Sequence, residues 1–305
     1  MTTVLVAGAT GDLGHRIVRE LLAADPAAFV RVLTRPGGGH AQAMFGERDR
    51  VEIREAAYTD HVGLVDALFG ADIVVSAVSG ARSVILDAQQ ALLAAAVEAG
   101  VTRFIPSDYS ADYRRVTPGS NRNFELRREF AADVDATPLH TTSVLNGAFA
   151  DMLTGQAPMV LFRRHKILYW SSPDQVLDFT TKDDVARTVA YVALDDAAPR
   201  VVEVAGDRVT ARGIARIMTE LTGAAFTTQW AGTTGMLSGM ARIGRRVSNG
   251  EEATFPAWQG MQYFVSMFSG EAQLHHVNND RYGPQAWTSV RDVLEAHVKY
   301  GATKG

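Results

Sequence analysis

Residues 4–14 read Val-Leu-Val-Ala-Gly-Ala-Thr-Gly-Asp-Leu-Gly, and this stretch decides the fold of the chain. The apolar run at its start is typical of a strand buried in a parallel sheet, and the apolar residues after it recur with the period of a helix. Gly8, Gly11 and Gly14 allow a tight turn, a close approach of the backbone to a pyrophosphate and tight packing of the helix on the strand. The helix N-terminus adds N–H groups and a positive dipole. The stretch therefore predicts a strand, turn and helix that bind a dinucleotide.

The surroundings of the glycines strengthen this prediction, because three spaced glycines alone are weak support. The pattern follows a predicted strand, and a second apolar strand, Phe29–Leu33, comes at the spacing of a βαβ unit. The alternative is a turn that binds nothing.

The end of the second strand, Thr34-Arg35, indicates which dinucleotide binds. A fold that prefers NAD usually has an acidic residue here to hold the ribose 2′-hydroxyl. This chain has Arg35 and no acidic residue close to it in the sequence. Because a guanidinium suits a 2′-phosphate and a carboxylate would repel it, NADP(H) is the expected cofactor. The alternative for Arg35 is a solvated residue at a strand end.

The composition excludes several classes of function. A formal net charge of -4 argues against a nucleic-acid surface, and the densest basic run, residues 163–166, fits a solvated hairpin. Because the chain has no cysteine, disulfides, thiolate nucleophiles and thiolate metal sites are excluded. No signal peptide or membrane span is recognised, so we expect a cytoplasmic protein without a membrane partner.

The order of the predicted elements indicates an α/β protein. Strands and helices alternate up to a sixth strand at residues 141–145, after which the regular alternation is lost. We predict a Rossmann doubly wound parallel sheet in an NADP(H)-binding domain over residues 1–155, to which residues 180–205 return. A smaller C-terminal α+β substrate domain is predicted over residues 156–305.

Four segments together resemble a known family. They are Gly8–Gly14, the Thr34-Arg35 strand end, Arg103–Tyr109 and Asn146–Phe149, and they are similar to the NmrA-like and isoflavone-reductase-like branch of the atypical short-chain dehydrogenases. The resemblance implies a Rossmann domain that binds NADP(H) and a smaller domain that closes over a substrate cleft. It also implies either an NADPH-dependent reductase of small aromatic or enone-like molecules or a non-catalytic NADP(H) sensor.

The expected cofactor contacts lie in the glycine turn and at strand ends. They are Gly8, Ala9, Thr10, Gly11, Asp12, Leu13, Gly14, Arg35, Ala77, Val78, Ser79, Ser107 and Asn146. We expect a small, apolar or aromatic substrate and a homodimer; a partner protein is expected only under the sensor hypothesis.

One departure from the family concerns catalysis. Reductases of this branch resemble one another in a lysine on the helix before the sixth strand, and this chain has no lysine from Met1 to His165. Arg127 is the nearest basic substitute, and it can act only electrostatically because a guanidinium does not take or give a proton in proteins. The alternative for Arg127 is a solvated residue on the outer face of its helix.

Tyr109 is the second catalytic candidate, although the Tyr-x-x-x-Lys pair of the wider dehydrogenase family is missing. It directly follows the fifth strand and could donate a proton to a substrate oxygen, or it could be a packing residue. Asp108 beside it could be a base or could cap the turn. The reductase hypothesis leads, the missing lysine favours the sensor, and an epimerase or dehydratase is a weaker third hypothesis because such enzymes use the absent Tyr-Lys pair.

Overall fold

A computed structural model describes residues 2–37, 39–248 and 256–301 of the chain. Its strands are β1 (Thr3–Ala7), β2 (Phe29–Thr34), β3 (Val51–Glu55), β4 (Ile73–Ser76), β5 (Arg103–Ile105), β6 (His140–Thr141), β7 (Ser143–Leu145), β8 (Ala148–Phe149), β9 (Val160–Leu161), β10 (Lys166–Tyr169), β11 (Leu177–Thr180), β12 (Val201–Glu203), β13 (Asp207–Val209) and β14 (Thr227–Trp230). Its helices are α1 (Asp12–Ala24), α2 (Gly39–Phe45), α3 (His61–Leu68), α4 (Gln89–Glu98), α5 (Arg122–Asp135), α6 (Lys182–Leu194), α7 (Ala211–Thr222), α8 (Thr234–Val247), α9 (Ala257–Phe268) and α10 (Val290–Gly301).

The chain divides into two compact units. The first unit comprises residues 1–109, 126–144 and 185–202, and the second comprises residues 110–125, 145–184 and 203–305. Residues 110–125 and 145–155 thus group with the second unit, whereas the domain bounds predicted from the sequence place them in the dinucleotide-binding domain. One reason is a set of buried hydrogen bonds, in which the Gln259 side chain of α9 donates to Asn121.

The first unit is built on a parallel sheet with the strand order β3-β2-β1-β4-β5-β6. This is the order of the doubly wound dinucleotide-binding fold, so the predicted fold class is confirmed. At the centre of the sheet, Val6 of β1 lies opposite Val32 of β2 and Val75 of β4. Both neighbours and the covering helices remove β1 from solvent, which explains its unbroken apolar sequence.

Two predicted elements differ in the structure. The predicted sixth strand is divided into β6 and β7, and β12, for which a return to the main sheet is predicted, pairs with β7 in a separate two-stranded sheet. The helical segment after β4 begins with a π-helical turn, Ser83–Ala88, before α4. Hydrophobic periodicity does not separate a π-helical turn from an α-helix, because the difference is one residue in a single turn.

The second unit contains short strands and most of the late helices. The hairpin expected at residues 163–166 is confirmed, since β9 and β10 pair antiparallel there, and β14 joins β10 in parallel. In the core of this unit, Trp170 stacks on Phe264 with ring centroids 4.9 Å apart. Met236 and Met240 of α8 are exposed.

The glycine at the third position of α1 generates a stability prediction. A Cβ at Gly14 would clash with the Gly8 carbonyl oxygen and the Ala9 Cα, both backbone atoms that cannot move independently. We expect Gly14→Ala to lower the free energy of unfolding by about 3 kcal/mol, as measured by urea titration. Gly39→Ala in α2 of the same unit is the matched control, because nothing lies within 4 Å of its Cβ position. Equal stability of the two variants would contradict the packing argument.

Candidate dinucleotide site

The glycine turn after β1 is held by its backbone. Gly8 has a φ of 78°, and a Cβ there would lie 2.6 Å from the Ala77 carbonyl oxygen. The Gly11 N–H donates to the Gly8 carbonyl oxygen at 3.0 Å, and the Ala77 N–H donates to the Ala7 carbonyl oxygen at 2.8 Å. The turn and the end of β4 are therefore in direct backbone contact, as the prediction of a common cofactor edge requires.

The start of α1 has the features that an anionic ligand needs. Gly11 is the N-cap residue, and no side chain caps the helix there. A Cβ at Gly11 would meet only the Gly8 carbonyl oxygen, at 3.2 Å, so the outer side of the turn is open. Thr10 and Leu13 are half-buried and Asp12 is exposed, whereas Ala9 is buried. Because uncapped helix amides attract phosphate, these residues fit the pyrophosphate of a dinucleotide.

Arg35 lies exposed directly after β2. It forms no ion pair with any residue that the structure describes. Burial raises the pKa of Tyr58 to about 12, and the positive charge of Arg35 acts against this rise. The guanidinium is thus available to an external anion.

An acidic residue does lie near the loop after Arg35, although no acidic residue is near it in the sequence. Thr34 is paired with Glu55, the last residue of β3. The Glu55 carboxylate accepts a hydrogen bond from the Gly37 N–H at 3.2 Å. Sequence reasoning missed Glu55 because parallel pairing alone brings the ends of β2 and β3 together.

The carboxyl ends of β4 and β5 are joined by side-chain hydrogen bonds. The Ser107 Oγ donates to the Val78 carbonyl oxygen at 2.7 Å, and the Tyr109 hydroxyl donates to the Ser76 carbonyl oxygen at 3.0 Å. Four of the predicted cofactor residues, Ala77, Val78, Ser107 and Gly8, therefore lie in one connected part of the first unit. Ser79, next to Val78, is exposed.

Tyr109 is nearly fully buried, and this bears on its predicted role as a proton donor. Burial, with a smaller contribution from the Asp108 charge, raises the pKa of the Tyr109 hydroxyl above its usual value. A hydroxyl that already donates to a backbone carbonyl holds its proton within the protein. The contacts favour the packing alternative, and the catalytic role of Tyr109 stays a prediction.

Asp108 points to a different neighbour. The Asp108 Oδ2 accepts a hydrogen bond from the Ser143 Oγ at 2.7 Å. The Ser143 Oγ in turn accepts a hydrogen bond from the Arg200 guanidinium at 2.8 Å. Asp108 is 1% exposed. A carboxylate within such a network stabilises the strand ends and is poorly placed to act as a base.

Arg127 lies on α5 in the first unit and is half-buried. Its Nε has no contact with solvent, which argues against the alternative of a fully solvated residue. Its catalytic role stays a prediction.

Asn146, the remaining predicted cofactor residue, belongs to the second unit. Its backbone is fixed, since its N–H donates to the Ser110 carbonyl oxygen and its own carbonyl accepts from the Thr180 hydroxyl. The side chain is fully buried, yet neither its Oδ1 nor its Nδ2 is hydrogen-bonded to a residue that the structure describes. Leaving a buried amide unpaired costs about 1–3 kcal/mol, so this side chain is suited to a ligand or an ordered water.

The described ranges contain neither a metal-binding cluster nor a membrane-spanning helix. No group of three or more histidine, aspartate or glutamate residues there could hold a metal ion. None of the helices in those ranges combines the length and the apolar character needed to cross a membrane.

Comparison with known proteins identifies similar chains. Pinoresinol reductase 1 of Arabidopsis thaliana is 29% identical over 95% of this chain and 93% of its own length. Bifunctional pinoresinol-lariciresinol reductase 3 of Thuja plicata is 33% identical over 63% of this chain and 66% of its own length.

Solved structures share the fold. The structure described as AtPrR2 with NADP+ and (+)pinoresinol superposes with a TM-score of 0.81 at 24% identity, covering 96% of this chain and 98% of that one. An NADPH-dependent quinone oxidoreductase of Escherichia coli superposes with a TM-score of 0.75 at 19% identity, covering 97% of this chain and 99% of that one. The model of the NmrA-like family matches residues 1–238. The resemblance seen in the sequence is thereby confirmed: the chain belongs to the NmrA-like family.

Proposed function

We propose that this protein is an NADPH-dependent reductase that transfers hydride to a small aromatic, enone or carbonyl compound. The observation that carries the proposal is the open glycine turn with its uncapped helix start, together with an exposed Arg35 after β2 that forms no ion pair with the described residues. The names of similar chains, which are pinoresinol reductases and an isoflavone reductase homolog, support the same reaction class.

The residues of the first unit would hold the cofactor in two places. The amides at the start of α1 bind the pyrophosphate, and Arg35 binds the 2′-phosphate, where its charge offsets the nearby Glu55 carboxylate. When bound, NADPH supplies the hydride. The ends of β4 and β5 would then face the reacting end of the cofactor, as expected for the carboxyl edge of a doubly wound sheet.

The reductase hypothesis is favoured over the sensor hypothesis. A sensor needs only the binding site. The similar chains are named as reductases, and the alignment with one of them covers most of this chain. The experiment is NADPH oxidation by the purified protein with a panel of aromatic ketones, aldehydes, enones, quinones and pinoresinol. Binding of NADPH without turnover of any of these would favour the sensor.

The source of the proton follows from the buried Tyr109. Since its hydroxyl donates to Ser76, a water at the substrate is the better proton source. The Arg127 guanidinium can stabilise negative charge that develops on a substrate oxygen. An aromatic substrate, a homodimer and a cytoplasmic location stay predictions from the resemblance and the composition.

Arg35 is expected to select the cofactor. Arg35→Ala should weaken NADPH binding about tenfold or more, which corresponds to about 1.4 kcal/mol, and should leave NADH binding within about twofold. Isothermal titration calorimetry measures both. Arg48→Ala, an exposed arginine before β3 at the amino edge of the sheet, is the charge-matched control. Unchanged NADPH affinity in Arg35→Ala would mean that Arg35 is only a solvated strand-end residue.

Arg127 is expected to contribute charge without proton transfer. Arg127→Ala should lower kcat about tenfold to a hundredfold with a smaller effect on the NADPH KM, and Arg127→Lys should retain most of the rate at neutral pH. The lysine variant should lose activity above about pH 10 as its amine deprotonates, which the arginine enzyme does not do. Steady-state kinetics against pH test this, with Arg128→Ala on the same helix as the control. Full activity of Arg127→Ala would remove Arg127 from the site.

Tyr109→Phe is expected to affect stability more than turnover. Its hydroxyl should contribute about 1 kcal/mol to the free energy of unfolding, and kcat should stay within about threefold of the unaltered enzyme.

A tyrosine in the unfolded chain ionises near pH 10, whereas the raised pKa keeps Tyr109 protonated in the folded protein. The stability that Tyr109 contributes is therefore full below about pH 10 and is lost as the pH rises further, so Tyr109→Phe should unfold less steeply with alkaline pH. Urea unfolding between pH 8 and pH 11 measures this, with the exposed Tyr300→Phe as control. Loss of turnover in a folded, NADPH-bound Tyr109→Phe protein would restore Tyr109 as the proton donor.

A further inference from the structure

A buried glutamine that the sequence analysis does not single out connects the two strand ends of the proposed site. The Gln89 Oε1 accepts from the Ser107 N–H at 3.0 Å, and its Nε2 donates to the Ile85 carbonyl oxygen at 2.6 Å. Ser107 in turn donates to the Val78 carbonyl oxygen. Three hydrogen bonds thus connect three segments. They join Val78, in the loop after β4, to Ser107, after β5, and join Ser107 through Gln89 to Ile85, in the helical segment that follows the same loop.

This chain of hydrogen bonds is shielded from water. Gln89 is 1% exposed, and Ile85, Ser107 and Val78 are also buried. The two ends of the amide face partners of opposite kind, a donor and an acceptor, so rotating the amide by half a turn would break both bonds. A buried polar side chain with both ends satisfied holds its neighbours in one arrangement.

The backbone at Gln89 is itself unusual. Gln89 is the first residue of α4, and the turn before it, Ser83–Ala88, is π-helical. Single π-helical turns are rare and occur often at functional sites. Here the Ile85 carbonyl oxygen of that turn accepts a hydrogen bond from the Gln89 side-chain amide, so the side chain stabilises the position where the π-helical turn changes to the α-helix.

The same hydrogen bonds involve Val78 and Ser107, two of the predicted cofactor residues. Val78 follows β4 and Ser107 follows β5, and these strands are paired through Val75 and Ile105. Past this last pair, the backbone ladder no longer fixes the distance between the two segments. Ser107 and Gln89 take over that function.

We propose that Gln89 is a positioning residue for NADPH binding, which holds the segments after β4 and β5 in the arrangement that receives the nicotinamide half of the cofactor. Gln89 acts through Ser107 and Val78 and does not itself touch the cofactor. The proposal rests on the proposed NADPH-dependent function. It assigns Gln89 to the nicotinamide half because both segments lie away from Arg35, which follows β2 on the other side of β1 in the sheet.

The test compares two ligands that differ in the nicotinamide half. NADPH contains it, and 2′,5′-ADP carries only the adenosine and its phosphates. Gln89→Met removes both hydrogen bonds at similar volume and should weaken NADPH binding about tenfold while leaving 2′,5′-ADP binding within about twofold. Gln89→Glu keeps the acceptor for Ser107 but loses the donor for Ile85, and we expect an NADPH affinity between those of Gln89→Met and the unaltered protein.

Gln90→Met is the matched control. Gln90 is the next residue of α4, and its Nε2 donates to Asp133 Oδ2 of α5 at 2.7 Å, a contact that does not involve β4 or β5. We expect this variant to bind both ligands as the unaltered protein does. Calorimetry gives the affinities, and the fluorescence of bound NADPH reports the environment of the reduced nicotinamide independently of turnover.

Three outcomes would overturn the proposal. NADPH affinity within about twofold of the unaltered protein in folded Gln89→Met would show that the hydrogen bonds do not serve binding, and Gln89→Glu carries the same criterion if Gln89→Met does not fold. An equal loss for both ligands would indicate a general structural role. If the unaltered protein bound neither ligand, the proposed function itself would fail and this proposal with it.

Discussion

The structure of the first unit depends on a contact that no side chain could make. Gly8 brings its backbone against Ala77 at the end of β4, and the space at Gly14 lets α1 lie against the Gly8 carbonyl. A methyl group at either position would separate the turn from its neighbours. The proposed site needs the helix start close to the strand ends, so that its amides can reach a phosphate. It therefore depends on glycine at both positions.

The second determinant is the alternation of side chains after β5. Ser107 and Tyr109 both donate to carbonyl oxygens at the end of β4, whereas Asp108 between them accepts from Ser143. Three consecutive polar residues thus serve two different neighbours. The result is a rigid edge, and rigid strand ends are what a binding site requires if its geometry is to be kept without the ligand.

Several features could be predicted from the sequence because they depend on residues close together in the chain. The Gly8–Gly14 spacing predicted the strand, turn and helix, and the alternation of apolar runs predicted the doubly wound sheet. Local patterns also predicted the hairpin at residues 163–166. The π-helical turn Ser83–Ala88 and the pairing of β12 with β7 could not be predicted, because the first is a one-residue change of helical pitch and the second is a choice among exposed strand edges.

The sequence by itself determined the fold class, the family and the glycine turn after β1, since backbone conformation and hydrophobic period are local properties. Only the tertiary structure decided that Tyr109 is buried with its hydroxyl on Ser76, that Glu55 lies beside the loop after Arg35, and that Gln89 joins Ser107 to the π-helical turn. The hydrogen bonds Gly37–Glu55, Ser107–Gln89 and Tyr109–Ser76 join residues that are 18 to 33 positions apart. They exist because parallel strands bring their carboxyl ends to one edge, a juxtaposition that no pattern within a single strand records.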